Sequence, residues 1–508
     1  MSITATRAPK PRADASPGGY THRQILVIMS GLILGMLLAA LDQTIVSTAL
    51  TRISEDLHRQ DLYSWVVTSY LLTSTASTPL YGKISDLYGR KRIFQFAIVL
   101  FLIGSALSGL SQSMYQLIAF RAVQGLGAGG LMSIALAIVG DVIPPRERGR
   151  YQGYFGAVFG ASSVLGPLIG GLLVQIDWRL VFYVNLPLGA LALVVVNRVL
   201  QVDHQRRKAK IDWLGATALV TGVSGVLIAV QNYGTQASMS TLSWIFGLGG
   251  LALLGGFVWW EGKAAEPILP LRLFRNDVFR VTTSLSLITG AVMFGAIIFL
   301  PQYMQLVRGV SPTMSGLQLL PLLGGLLLTS IGSGYLISHF GRYRGYVIAG
   351  TALLVLGTAL LTQIHVTTNF WTLSGIIFVV GFSLGLFMQT TTLATQNSVE
   401  LSDMGVATSA VSFFRTLGGA IGTSVLGAVL LGHARAVAPD QVAAHGPRLG
   451  ALYAFTAGMD RAYLWAVPVA VLAFVVALFL REAPLRTSNG DPKVQEALAE
   501  MTEPIGAI

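Results

Sequence analysis

Apolar runs of about 20 residues, one after another, leave this chain little choice of surroundings. That is the length at which an α-helix crosses some 30 Å of hydrocarbon. Fourteen runs occur, over 25–49, 62–82, 93–111, 115–138, 151–175, 180–199, 213–232, 242–261, 279–301, 314–337, 345–364, 371–396, 406–431 and 461–481. Strands of a membrane barrel would be about half as long and would alternate apolar with polar residues, a pattern absent here. Of the 508 residues 53% are hydrophobic and 11% charged, against roughly a quarter charged in a soluble domain. The expectation is an all-α integral membrane protein.

The charges then report orientation. An even number of spans places both termini on one side. Of the 34 Lys and Arg residues, 25 fall on that side, 7 on the other, and Arg121 and Arg415 fall inside spans. Basic residues collect in cytoplasmic loops, so both termini are expected in the cytoplasm. The net charge of +11 is thereby accounted for by topology, and no nucleic-acid partner is expected. Residues 1–24 hold four basic residues and lack the apolar core of a cleavable signal peptide; they read as a disordered cytoplasmic tail, as do residues 483–508. The absence of cysteine excludes disulfides, thiolate metal sites and cysteine nucleophiles.

The chain also repeats itself. "GKISDLYGRKR" (Gly82–Arg92) recurs 252 residues later as "GYLISHFGRYR" (Gly334–Arg344), and "GPLIG" (Gly166–Gly170) recurs at the same offset as "GGAIG" (Gly418–Gly422). Two six-helix bundles follow, over 25–200 and 279–482, with a linker over 201–278 that carries two inserted spanning helices. Parallel repeats of this kind enclose a site near the bilayer midplane and rock about it.

Among 23 acidic residues, Asp42 alone sits well inside a span. A charge at that depth costs about 2.5–3.5 kcal/mol on insertion scales and marks an ion or proton path. Arg121 of the fourth span shares its depth, roughly 10 Å below the outer surface at 1.5 Å per residue, and is the natural partner. Burial favours a protonated carboxyl and a guanidinium favours the ionised form, so such a pair suits proton coupling; a static pair that fixes packing is the plainer alternative. Gln124, three residues after Arg121, shares its helical face. Gly125 and Gly127 read as close-packing positions.

Other residues suggest moving parts. Gly82, Asp86, Gly89 and Arg90 in the loop after the second span, with Asp141 on the same side of the membrane, form a candidate cytoplasmic gate, Asp86 and Arg90 being spaced for contact on one helical turn. Gly166, Pro167, Gly170 and Gly171 in the fifth span form a small-residue face with a proline that invites a kink. Phe159, Phe382, Phe387, Met388, Gln389 and Arg415 are candidates for a largely apolar substrate cavity; Arg415 has no acid at its depth and reads either as a cavity residue or as a side chain reaching back to cytoplasmic water. The seven histidines fall in loops, tails or span ends without metal-ligand spacing, so neither a membrane enzyme nor a metal site is expected, and no channel filter appears.

With these motifs in view, the chain resembles a major facilitator superfamily transporter of the fourteen-helix drug:proton antiporter kind (EmrB/QacA type), over about residues 25–485. "LAALDQTIVSTAL", "GKISDLYGRKR", "RAVQGLGAG", "GPLIGG", "WRLVFYVNLPLG", "IDWLGA" and "SPTMSGLQLLPL" carry the resemblance in order along the chain. It implies export of hydrophobic or amphipathic small molecules by alternating access, in exchange for protons, with the proton gradient as energy source and no cofactor. It implies proton roles for Asp42 and Arg121, gating roles for Asp86 and Arg90, a bacterial inner-membrane location and a functional monomer. Ser338 stands where the second repeat would need the counterpart of Asp86, so the gate is not duplicated. No further carboxylate lies clearly inside the second bundle, which argues against a multiply charged cation as cargo. A dedicated exporter of one lipid, antibiotic or metabolite is the alternative on the same fold.

Overall fold

The computed structural model describes residues 22–59, 62–143, 145–200, 212–236, 240–400 and 403–485. The expected tails, but for a few residues at their inner ends, and the basic stretch 201–211 lie outside the described residues. Among those described there are helices and no strands: α1 His22–Asp56, α2 Tyr63–Tyr88, α3 Arg90–Gly109, α4 Met114–Val142, α5 Pro145–Ile176, α6 Leu180–Tyr183, α7 Asn185–Val199, α8 Trp213–Gln236, α9 Thr241–Glu261, α10 Asp277–Leu306, α11 Pro312–Gln318, α12 Leu320–Phe340, α13 Arg344–Leu361, α14 Phe370–Ser398 and α15 Met404–Leu478. Eleven of the helical stretches are long and apolar enough to cross a membrane.

Three departures from the sequence expectation have local causes. The sixth span is divided into α6 and α7 at Val184, and the tenth into α11 and α12 at Leu319. The segment 432–460, expected as an outer loop, is helical: α15 runs from 404 to 478 with one break, at Gly446 (φ 78°). Its two arms fold back on each other, since a Cβ on Gly458 would meet Ala434 and one on Gly450 would meet Val442, and His445 stacks on Tyr453 with ring centroids 4.2 Å apart. Asp86 and Arg90 do not share a helical turn. Gly89, at φ 99°, ends α2 and begins α3 between them, a backbone conformation that costs a glycine nothing. Gly341, one repeat offset later, ends α12 at φ 71°.

Apolar side chains of α1, α3, α4 and α7 form one core, with Phe94, Phe101, Ile134 and Val196 fully buried. Those of α10, α13, α14 and α15 form a second, around Leu300, Leu354, Leu384 and Tyr463. The inserted α8 joins a third cluster at the seam between them: its Leu219 and Val223 pack with Ala76 of α2 and with Ala407 and Phe413 of α15. Outside it, α9 turns Leu242, Trp244, Ile245, Leu248, Leu251 and Trp259 outward, an apolar surface suited to lipid.

Within the first bundle α4 is wedged between α2 and α3. Its Gly125 and Gly129 leave room for Thr73 and Ser77 of α2, and its Gly127 for the Phe101 and Ala97 backbone of α3. Thr73 Oγ1 donates to Ala122 O at 2.8 Å. Small residues set this close crossing because lipid supplies no hydrophobic force between helices. From α3, Gly104 comes so near that a Cβ there would lie 2.5 Å from the Gln124 backbone nitrogen. Gly104→Val is expected to destabilise by about 1–3 kcal/mol through overpacking, read as a lower melting temperature in detergent. Gly255→Val on α9, where nothing lies within 4 Å, is expected to leave it unchanged.

Candidate functional site

Three helices of the first bundle, α1, α4 and α7, converge on one carboxylate. Asp42 of α1 is fully buried. Its Oδ2 accepts from Arg121 Nη1 of α4 at 2.5 Å. Its Oδ1 accepts from Gln124 Nε2 at 2.9 Å and from Asn185 Nδ2, at the start of α7, at 2.9 Å. Arg121 also donates to Gln124 Oε1 at 2.9 Å and to Val66 O of α2 at 3.4 Å, and its guanidinium lies 4.2 Å over the Tyr70 ring. Asn185 Nδ2 reaches Ser105 Oγ of α3 at 2.9 Å. Everything aimed at Asp42 is an N–H donor, the pattern that an ionised carboxylate requires. One acceptor is left over, since the buried Oδ1 of Asn185 has no partner.

The sequence reading brought Asp42, Arg121 and Gln124 together and missed Asn185, Ser105 and Tyr70. Asn185 had a signal, being an amide inside the apolar stretch "FYVNLPL". The break at Val184 starts a new helix at Asn185 and so presents this amide to the first helix.

The expected gate residues also meet. Arg90 binds Asp86 at 2.5 Å, Asp141 at 2.8 Å and Ser85 Oγ at 2.6 Å. This cluster faces the start of α15: a Cβ on Gly405 would run into Arg90 and Asp86, and one on Gly82 would lie 2.5 Å from Ser409 Oγ. A second contact between the bundles was not anticipated. The buried Arg148 of α5 donates to Ile143 O at 2.6 Å, to Gly140 O, and across to Gln396 Oε1 of α14 at 3.3 Å. Gln396 Nε2 in turn donates to Leu136 O of α4 and Thr408 Oγ1 of α15, both at 3.2 Å. Two surface pairs, Lys83–Glu266 at 2.7 Å and Arg272–Asp403 at 2.9 Å, flank these contacts. The end of the two bundles that carries these contacts is therefore shut. Towards the opposite end α2, α8, α10 and α15 leave a cleft, lined by Thr68, Leu71, Gln231, Phe294 and Thr416.

In α5 the helix is continuous through Pro167. Gly166 and Gly170 lie against Thr44 and Thr48 of α1, and Thr44 Oγ1 donates to Ser162 O at 2.9 Å; the half-buried Gly171 follows. Phe387, expected in the cavity, is instead packed in the core of the second bundle. Met388 packs against that core and Phe382 against Phe378, while Gln389 stays half-buried. The side chain of Phe159 lies outside the described residues. Arg415 turns to α14.

Asp86 lies in the last turn of α2, beyond the apolar span read from the sequence. Burial, first, pushes its carboxyl up to about 7; Arg90 opposes, and Asp141 adds to the rise. Opened to water it would return to about 3.9. A carboxyl raised in the closed form stabilises that form at low pH, and the contribution is lost as pH climbs through about 7. In a Ser409→Cys background, thiol labelling at the gate is thus expected to rise several-fold more between pH 6 and 8 than in the same background carrying Asp86→Asn.

The sequence pattern of the Major Facilitator Superfamily matches residues 32–423. An uncharacterized MFS-type transporter of Mycobacterium tuberculosis (strain ATCC 25618 / H37Rv) is 39% identical over 486 residues, covering 92% of this chain and 71% of that protein. The multidrug transporter protein MdtP of Bacillus subtilis (strain 168) is 38% identical over 417 residues, covering 81% and 76%. Among solved structures, the proton:xylose symporter XylE bound to 6-bromo-6-deoxy-D-glucose aligns with a TM-score of 0.62 at 15% identity, over 94% of this chain and 100% of that one; this likeness speaks for the fold alone.

Proposed function

The chain belongs to the major facilitator superfamily, and we propose that it is a proton-coupled antiporter that exports hydrophobic or amphipathic small molecules. Its relatives with multidrug and efflux-pump names support the export half of this reading. The proton half rests on one observation, the Asp42 carboxylate sealed among Arg121, Gln124 and Asn185.

Fourteen crossings fit the helices, counting the two arms of α15 separately, α6 with α7 and α11 with α12 as one crossing each, and adding the more polar α2 and α5. The halves are then the bundles over 25–200 and 279–482, set in a bacterial plasma membrane with both termini in the cytoplasm. The cytoplasmic contacts at Arg90 and Arg148 hold the halves together in the outward-directed state. A monomer suffices for this motion.

In that state a proton arriving from outside neutralises Asp42. An O–H there needs an acceptor, and the spare Oδ1 of Asn185 supplies one once its amide turns over. The Arg121 guanidinium then loses its counter-charge, and α1 and α4 are free to shift against each other. Return to the inward-directed state exposes Asp42 to the cytoplasm, where the proton leaves and cargo is taken up. Cargo moves out as the proton moves in, so the gradient drives export.

Asp42→Asn is expected to abolish efflux driven by a pH gradient in everted vesicles, at wild-type expression. Arg121→Ala should do much the same, and the double variant should be no worse than either single change, because the pair acts as a unit. Undiminished efflux by Asp42→Asn at a fixed gradient would sink the proton role.

Stability gives a separate check on the pair. Removing one partner of a buried ion pair strands the other charge, at about 3–5 kcal/mol. Arg121→Gln should lower the melting temperature more than Arg121→Gln combined with Asp42→Asn.

A further inference from the structure

One guanidinium inside the second bundle has no acid to answer it. Arg415 lies on α15 eleven residues beyond Met404, hence roughly 16 Å from the cytoplasmic end of that helix. Its Nη2 donates to Met388 O and Thr392 Oγ1 of α14, both at 3.3 Å. Among the described residues it makes no ion pair, and its Nη1 and Nε make no hydrogen bond. The side chain nevertheless stays partly accessible. The chain has no Asp or Glu between Asp277 and Glu400 or between Asp403 and Asp440. In the other bundle Asp42 is paired with Arg121, and Asp86 and Asp141 with Arg90.

The helical register places this charge towards the first bundle. Thr408, seven residues earlier on the same face of α15, bonds Gln396, which itself reaches Leu136 O of α4. Gln389 lies seven residues before Gln396 on the matching face of α14. It is half-buried and makes no hydrogen bond among the described residues. Arg415 and Gln389 thus stand about two turns above the cytoplasmic closure, on surfaces that part from the first bundle when that closure opens.

An unpaired cation at membrane depth is costly to keep, and a guanidinium with two free donors matches a planar oxyanion. We propose that Arg415, with Gln389 beside it, recognises an acidic group on the exported molecule, so that the cargo includes amphipathic monoacids. The oxyanion would complete the coordination of Arg415, and the apolar body would lie along the half-buried face that includes Met388. The inference rests on the exporter reading above and narrows its cargo.

The test is efflux from proteoliposomes of purified protein under an imposed pH gradient. The probes are a dansyl-tagged medium-chain carboxylic acid and the primary amide of the same acid. Wild type should move the acid, and the acid should inhibit efflux of the amide. Arg415→Gln should cost the acid at least about tenfold more in kcat/KM than the amide, the scale of one charge-assisted hydrogen bond, and Arg415→Lys should recover part of that loss. Equal losses for both probes would make Arg415 a structural or gating residue and overturn the proposal. Wild type moving the amide while the acid neither moves nor competes would overturn it and leave the exporter reading intact; movement of neither probe would bring down both. Should Arg415→Gln fail to fold, the wild-type competition and the Arg415→Lys ratio decide on their own.

Discussion

A carboxylate buried in a membrane protein must be held by donors or by a proton, and the first bundle is organised around that requirement. Asp42 takes one donor from each of three side chains on two helices other than its own. Those donors are themselves held: Arg121 by Tyr70 and Val66, Asn185 by Ser105. Desolvating two charges is repaid only where geometry and hydrogen bonding are nearly complete. Packing elsewhere in the bundle serves this, since α4 cannot present Arg121 and Gln124 at the right distance unless Gly104, Gly125 and Gly127 let α2 and α3 close upon it.

The second bundle has no carboxylate held as Asp42 is, the partly buried Asp460 of α15 leaving its Oδ1 without a partner, and its other buried polar groups do other work. Gln396 and Thr408 close one end of the bundles together with Arg148, and Arg415, about two turns further in, makes no ion pair among the described residues. The two bundles share a repeated motif, visible in the left-handed glycines at 89 and 341, and differ in charge. One carries a buried acid paired with an arginine; the other carries an arginine that makes no ion pair among the described residues.

Much of this architecture is legible in the residues alone, though unevenly. Spans are readable because hydrocarbon demands length and apolarity from each helix separately. Asp42 and Arg121 are readable because charges are rare at depth and equal depth follows from counting residues. Asn185, Arg148 and Gln396 are not, because an amide or an arginine near a span end has many ordinary explanations, and only the packing of helices distant in sequence shows what it touches. Phe387 suits a cavity by residue type alone, and burial in the core reverses that. The outer segment 432–460 reads as a loop because helix propensity outside the membrane is a weak signal; contact between the two arms of α15 makes it helical.

The sequence by itself determined the membrane, the helices, the repeat and the identity of the two charges that pair, because those follow from local composition and from periods along one chain. Tertiary structure alone decided which amides complete the carboxylate, which side of the protein is closed, and that Arg415 is left unanswered. Those depend on helix rotation and close approach, and a rotation of a few tens of degrees changes every partner while leaving the sequence pattern as it was.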